Sequence, residues 1–545
     1  MKGKNDMYKT CLNYFNTPRY SLSPCDICKM YSCPYCVNTP TYNRNFSRQF
    51  SNYADNENSK ITDFISTLEE RGFIVQEGKL KYFDMLKLVS EGKIDTAFAN
   101  NAGAPYATYL LPPSPNQDPS PAQRPPKGYN PQDPNNYPAN IEYTIPGMDY
   151  KLRADEAIVL IGKTPPTAYN FSYRSYLGFV ENEPSKDYSD TITAGNDNTG
   201  FYHNIGASMG DQINNHNIWT DNTPYGASGN PFNSSTIIIT TADRGINKQM
   251  RDALVKSGFS SGIMNDDNIP MGLTNIGLEK GKDTFSFIMR AAIWLDYDAG
   301  WDYINNLENY VKVLRITPKT TYPSLDSWPI PALKKHETGT TEFQVVPYAR
   351  NEMNYLRNEI IKKYENEEYE PVDLDSKLWI LDGYEGILQD VPVYYDNRDG
   401  LYIRTDNFQL ETDEDFVILY GVDHAQTDFA TFFNISFYGE EYWNGVVGAN
   451  ITDELKYPAT EYFPKDYKNS KYYYTVKMAR KAEEGNEVII PYSTDNPKGS
   501  AYGVDNNEDA YVGFRIYANP ETNVAPAIFD TIWSRAILFR KKKKQ

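Results

Sequence analysis

Four of the five cysteines, Cys25, Cys28, Cys33 and Cys36, fall within twelve residues, CDICKMYSCPYC, and the fifth is Cys11. Two Cys-x-x-Cys pairs can each close one side of a tetrahedral metal site, because thiolates at that spacing converge on one ion at about 2.3 Å. Only four residues separate the pairs, against a spacer of roughly 15 to 20 in the common zinc ribbon, and neither standard ferredoxin run is matched. Structural zinc, disulfides, an iron–sulfur cluster and free or lipidated thiols are all chemically open to this cluster. Zinc on an N-terminal arm is the one cofactor expected.

A second constellation lies far downstream. His424 stands in YGVDHAQT, where Asp423 is placed to orient an imidazole as acid/base sites require. Asp396, Arg398 and Asp399, from DNRDG, precede the strand expected to pair nearby, and Glu342 from ETGTTE completes a candidate polar cluster. The plainer reading is a turn, an ion pair and a capped strand end. No recognised catalytic signature is present. GLEKGKDT (277–284) has Asp283 where a phosphate loop needs Ser or Thr. DYDAGWD (296–302) lacks the ligand spacing of a calcium hand and reads as an acidic turn.

The elements that would have to position these groups are mostly strands. EAIVLI, YNFSYRSYLGF, STIIITT, TFSFIMRAAIWL and YVKVLRIT read as strands in the first half, and GLYIRT, DFVILYG, FFNISFYG, YYYTVKM, EVIIPYS, AYVGFRIYA and IWSRAILFR in the second. Helices are expected from Ser59, over KYFDMLKLVSEGKI, over NKQMRDALVKSGF, and over PYARNEMNYLRNEIIKKY with a stripe at Met353, Leu356, Ile360 and Tyr364. Ten prolines between Leu111 and Asn140 exclude helix and central strand there.

Two segments repeat. DYKLRADEAIVLIG (149–162) matches NFQLETDEDFVILYG (407–421), placing Tyr150 on Phe408, Leu152 on Leu410 and Asp155-Glu156 on Asp413-Glu414. FSYRSYLG (171–178) then overlays FFNISFYG (432–439). The expected fold is β-rich α+β, with two related antiparallel β-sandwich, jelly-roll-like domains, accessory helices and an irregular Cys-containing N-terminal arm. The divisions expected are an arm (1–58), a short helical segment (59–110), a Pro-rich linker or strap (111–140), a first β-rich domain with a helical insertion (141–330), a helical connector (331–390) and a second β-sandwich domain with a basic tail (391–545).

Composition narrows the function classes. A net charge of −18 opposes nucleic-acid binding, apart from the basic run Arg540 to Lys544 at the tail. No apolar run reaches the roughly 18 residues of a membrane span, and the start lacks the apolar core of a secretory signal, which favours a cytoplasmic or particle-associated protein over a secreted one. Tyr numbers 45 and Asn is abundant, a mixture suited to half-buried β surfaces joined by polar loops. The leading expectation is a non-catalytic structural or interaction protein, a component of a particle or cell surface with a protein partner or self-association. The alternatives are a glycan-active or other hydrolase using the carboxylate/His cluster, and an intracellular regulator with a zinc-binding arm.

Overall fold

β-Branched and aromatic runs bounded by turn residues become strands almost throughout the chain. The computed structural model describes residues 45–115, 117, 148–186, 188, 193–194, 202–279, 281–365, 368–452 and 457–543. The cysteine cluster and most of the Pro-rich segment lie outside the described residues. The chain divides into two compact units, Met1–Thr62 and Asp63–Gln545. Of the first, residues 45–62 are described, as part of helix α1 (Asn45–Glu70).

The first half of the second unit carries β1 (Phe73–Phe83), α2 (Met85–Ser90), β2 (Tyr106–Leu110), β3 (Ala157–Lys163), β4 (Ala168–Glu181), β5 (Thr193–Ala194) and β6 (Tyr202–Ser208). It continues through β7 (Ile213–Asn214), β8 (Ser235–Thr241), α3 (Arg244–Lys256), β9 (Met264–Asn268), β10 (Phe285–Trp294), α4 (Tyr297–Asn305) and β11 (Val311–Pro318). Strand β1 is shared between two sheets. Its first part pairs with β11, from Phe73↔Pro318 to Gly78↔Val313, and its last part with β2, from Lys79↔Leu110 to Phe83↔Tyr106. Gly78 sits at the change of partner, where a Cβ would meet Leu111 at 2.7 Å and the Leu110 carbonyl at 3.0 Å, so a side chain would push the sheets apart.

From β1 one sheet runs β1-β11-β3-β8-β9 and the other β1-β2-β10-β4-β6-β5. Every pairing is antiparallel except β8 with β9. Alternate residues of both sheets, among them Ile158 and Leu160 on β3 and Phe171 and Tyr173 on β4, meet in one core. Tyr109 and Phe287 stack within it at 3.8 Å between centroids.

The second half contains α5 (Glu342–Val345), α6 (Ala349–Tyr364), β12 (Tyr369–Leu374), β13 (Ser376–Leu378), α7 (Gly383–Gln389), β14 (Gly400–Thr405) and β15 (Phe416–Val422). There follow β16 (Phe432–Gly439), β17 (Asn444–Ile451), β18 (Tyr473–Ala479), β19 (Val488–Ile489), β20 (Ala510–Tyr517) and β21 (Arg535–Lys541). The strand orders are β12-β21-β15-β18-β19 and β13-β14-β20-β16-β17, again antiparallel save for β18 with β19. Val417 and Leu419 from one sheet pack on Phe433 and Phe514 from the other. Helix α6 covers the opposite face of the first of these sheets, seating Met353, Leu356 and Ile360 against Ile418, Tyr473 and Phe539.

Several local readings shift. The segment 59–110 is not simply helical, since it supplies β1 and β2. Lys81-Tyr82-Phe83 is strand because Asp84 caps α2, its side chain accepting from Lys87 N at 3.2 Å, and so marks where helix begins. The connector 331–390 includes β12 and β13, which pair with β21 and β14. The acidic turn at 296–302 is a helix start, with Asp296 accepting from Ala299 N at 3.0 Å. The basic tail is partly tied down, Lys541 pairing with Glu368 at 2.6 Å and Lys543 with Glu411 at 3.5 Å.

Candidate functional site

The six sequence candidates separate into two polar groups. The loop that follows α7 carries Asp396, Arg398 and Asp399 against the first half of the unit. Asp396 Oδ1 accepts from Ser208 N at 2.7 Å, while Oδ2 accepts from Ser208 Oγ at 2.7 Å and Gly383 N at 3.0 Å. Asp399 Oδ1 accepts from Asn214 Nδ2 at 2.7 Å. Arg398 donates through Nε to Asp211 at 2.7 Å, through Nη2 to the Lys334 carbonyl at 2.7 Å, and through Nη1 to Asp382. All three side chains are buried. Burial pushes the Asp396 carboxyl up to about 6 and the Asp399 carboxyl up to about 7, against the hydrogen bonds they accept.

The same loop is held at its start by His203, whose Nε2 lies 2.9 Å from Asp390 Oδ1 and whose Nδ1 lies 2.9 Å from Asn182 Oδ1. Burial holds this imidazole below its usual value. These bonds dock one half of the unit on the other and leave their polar atoms engaged.

The second group surrounds His424. Its Nδ1 lies 2.9 Å from Glu342 Oε1, so Glu342, not the neighbouring Asp423, orients the ring. Glu342 also accepts from Thr427 Oγ1 at 2.6 Å and Ile532 N at 2.7 Å. Asp423 closes the turn after β15 by accepting from Ala425 N at 3.0 Å and Gln426 N at 3.2 Å, and burial pushes it up to about 6. His424 Nε2 is buried with no partner among the described residues, beside the Phe433 ring. No hydrogen bond or ion pair between described residues joins this group to Asp396, Arg398 or Asp399. None of the six side chains lines either described cavity.

One cavity, about 720 Å³, lies between α6 and the β12–β21 edge, with Arg350, Arg357, Arg535, Tyr420 and Trp533 on its walls. The other, about 20 Å³, lies where the halves meet and is lined by Arg290 and Arg515. Sequence reasoning passed over both arginines. An Arg in an alternating strand reads as a solvent-facing residue, yet Arg290 is 9% and Arg515 5% exposed. Only the burial of the outer sheet faces, which no local pattern encodes, distinguishes them.

No family model matches the chain, and no curated protein matches it in sequence. Among solved structures it is similar to an uncharacterized protein from Burkholderia cenocepacia, with a TM-score of 0.33 and 9% identity over 97% of each chain. It is also similar to the VPA0106 protein from Vibrio parahaemolyticus, with a TM-score of 0.30 and 10% identity over 72% of this chain and 87% of that one. At these scores neither likeness bears on function.

Proposed function

We propose that this protein is a non-catalytic structural subunit, built from two related jelly-roll sandwich domains and a zinc-binding arm, that self-associates as a component of a particle or surface layer. The observation that carries the reading is the recurrence of one strand order. Numbered in chain order, the principal strands of the first half (β1, β2, β3, β4, β6, β8, β10 and β11) lie as 1-8-3-6 and 2-7-4-5. The second half, with β12 and β13 together as strand 1 and then β14, β15, β16, β17, β18, β20 and β21, follows the same two orders. That order is the one expected of a hairpin rolled upon itself, and it supports the jelly roll used by many capsid and lectin domains. In each half a further strand adds in parallel to strand 6, which supports descent from one duplicated domain.

Asp396, Arg398 and Asp399 are engaged in docking their loop to the first half, and Glu342 in holding His424, Thr427 and Ile532 N, which favours a structural role over a hydrolytic one. Large apolar side chains remain exposed, including Phe529 at 90%, Leu388 at 81% and Tyr297 at 67%, and suit contact with further protein. Among the described residues no helix is long and apolar enough to cross a membrane. Light scattering and electron microscopy at rising concentration test the assignment. Discrete assemblies are expected, and a chain that stays monomeric up to its solubility limit overturns it. Elemental analysis with thiol titration tests the arm, where zinc bound by Cys25, Cys28, Cys33 and Cys36 is expected and protected disulfides without metal refute it.

A further inference from the structure

Strands β10 and β20 hold the same place in the two strand orders. Tyr150 bridges Phe285 at the start of β10, and Phe408 bridges Ala510 at the start of β20. Five residues further on stand Arg290 and Arg515. Their cross-strand neighbours correspond as well, because Arg290 lies opposite Tyr106 on β2 and Arg515 opposite Tyr402 on β14. Two Arg–Tyr pairs, one from each half, therefore face each other across the junction, and all four residues line the cavity of about 20 Å³.

The charge here is out of balance. Arg290 donates to the Tyr176 hydroxyl and, at 2.5 Å, to the Tyr395 carbonyl, and Arg515 donates to the Ala99 carbonyl and, at 3.2 Å, to the Tyr438 hydroxyl. Every one of those acceptors is neutral. Among the described residues no carboxylate lies within ion-pair distance of either guanidinium. Tyrosine faces at 5.2 Å from each guanidinium, Tyr176 for Arg290 and Tyr402 for Arg515, soften the burial but supply no net charge. Asp396 and Asp399 act on Arg290 only from beyond ion-pair distance, so neither guanidinium has a carboxylate in contact, and burying a cation in that state costs several kcal/mol.

We infer that the Arg290–Arg515 cavity is a binding site for a small monatomic anion of the chloride class, which the two halves of the chain share. The volume suits such an occupant, since roughly 10 to 15 Å³ already admits a water and leaves no space for sulfate or a phosphate ester. The donors around it are guanidinium N–H and phenol O–H groups, which favour an anion over a cation. Bound there, the ion would fix the angle between the two halves.

The test compares thermal unfolding of the full chain in chloride and in gluconate at equal ionic strength. A saturable rise in melting temperature with chloride is expected, and it should vanish in Arg515→Gln. Should that variant fail to fold, Tyr402→Phe removes one hydroxyl and weakens the apparent chloride affinity by about tenfold, the worth of one hydrogen bond to a charge. Crystals grown in bromide should show an anomalous peak between Arg290 and Arg515. Equal melting in the two salts, or a bromide map with no peak at the cavity, means water or nothing fills it and overturns the inference.

Discussion

Replacing Asp399 by Asn should flatten the pH dependence of stability in a defined window. Asp399 is fully enclosed and its carboxyl rises from 3.8 to about 7 on folding, because burial disfavours its charge. The folded state then holds a proton that the unfolded state releases near 4, so stability falls as pH rises from about 4 through 7 and is unaffected below that range. At 1.36 kcal/mol per unit, the wild type loses about 3 kcal/mol through this group between pH 4 and pH 7. Asparagine can still accept from Asn214 and cannot ionise, so Asp399→Asn should lose about 3 kcal/mol less over the same interval. Asp396, Asp423 and Asp283, each raised to about 6, titrate in both proteins and cancel in the difference. Unfolding entropy near 2 cal/mol/K per residue makes this about 3 °C in melting temperature if the chain unfolds as one unit. Urea and thermal unfolding from pH 4 to 8 provide the assay. Parallel wild-type and variant curves would show that Asp399 is ionised throughout and refute the reasoning.

Three further substitutions probe the frame. Glu156 and Arg315 form a fully buried pair at 2.8 Å, so Glu156→Gln strands the guanidinium and should cost about 3 to 5 kcal/mol in urea unfolding. Glu342→Ala removes the acceptor shared by His424, Thr427 and Ile532 N, with an expected loss of roughly 3 kcal/mol and faster limited proteolysis around 331–348. Leu356→Ala opens a hole between α6 and its sheet and should cost about 2 to 5 kcal/mol, with unfolding followed by circular dichroism.

Much of this frame was legible in residue pattern. STIIITT could only be a strand buried on both faces, and the Met353, Leu356 and Ile360 stripe became the buried side of α6. Tyr150 and Phe408, which the sequence match pairs, each form an isolated antiparallel bridge, to Phe285 and to Ala510. The buried carboxylate one residue ahead of each strand is Glu156 in the first half and Asp415 in the second. Asp415 accepts from Lys541 N at 2.8 Å, as Glu156 accepts from Thr317 Oγ1 at 2.5 Å, so each ties its strand to the last strand of its half. His424 was found, but its partner lies 82 positions away, and proximity in sequence favoured Asp423. Arg290 and Arg515 were beyond reach, because their burial arises only when two outer sheet faces meet.

The last strand in chain order, β21, is not an edge. It lies between β12 and β15 and brings Ile537 and Phe539 under α6 and Leu538 into the core between the sheets. During synthesis, the first half has all its principal strands once β11 leaves the ribosome, whereas the second must wait for residues more than two hundred positions later. At roughly 5 to 20 residues per second that delay is on the order of ten to forty-five seconds, with an unfinished apolar sheet open to solvent. The order of translation thus leaves the second half exposed for longer than the first before its core can close.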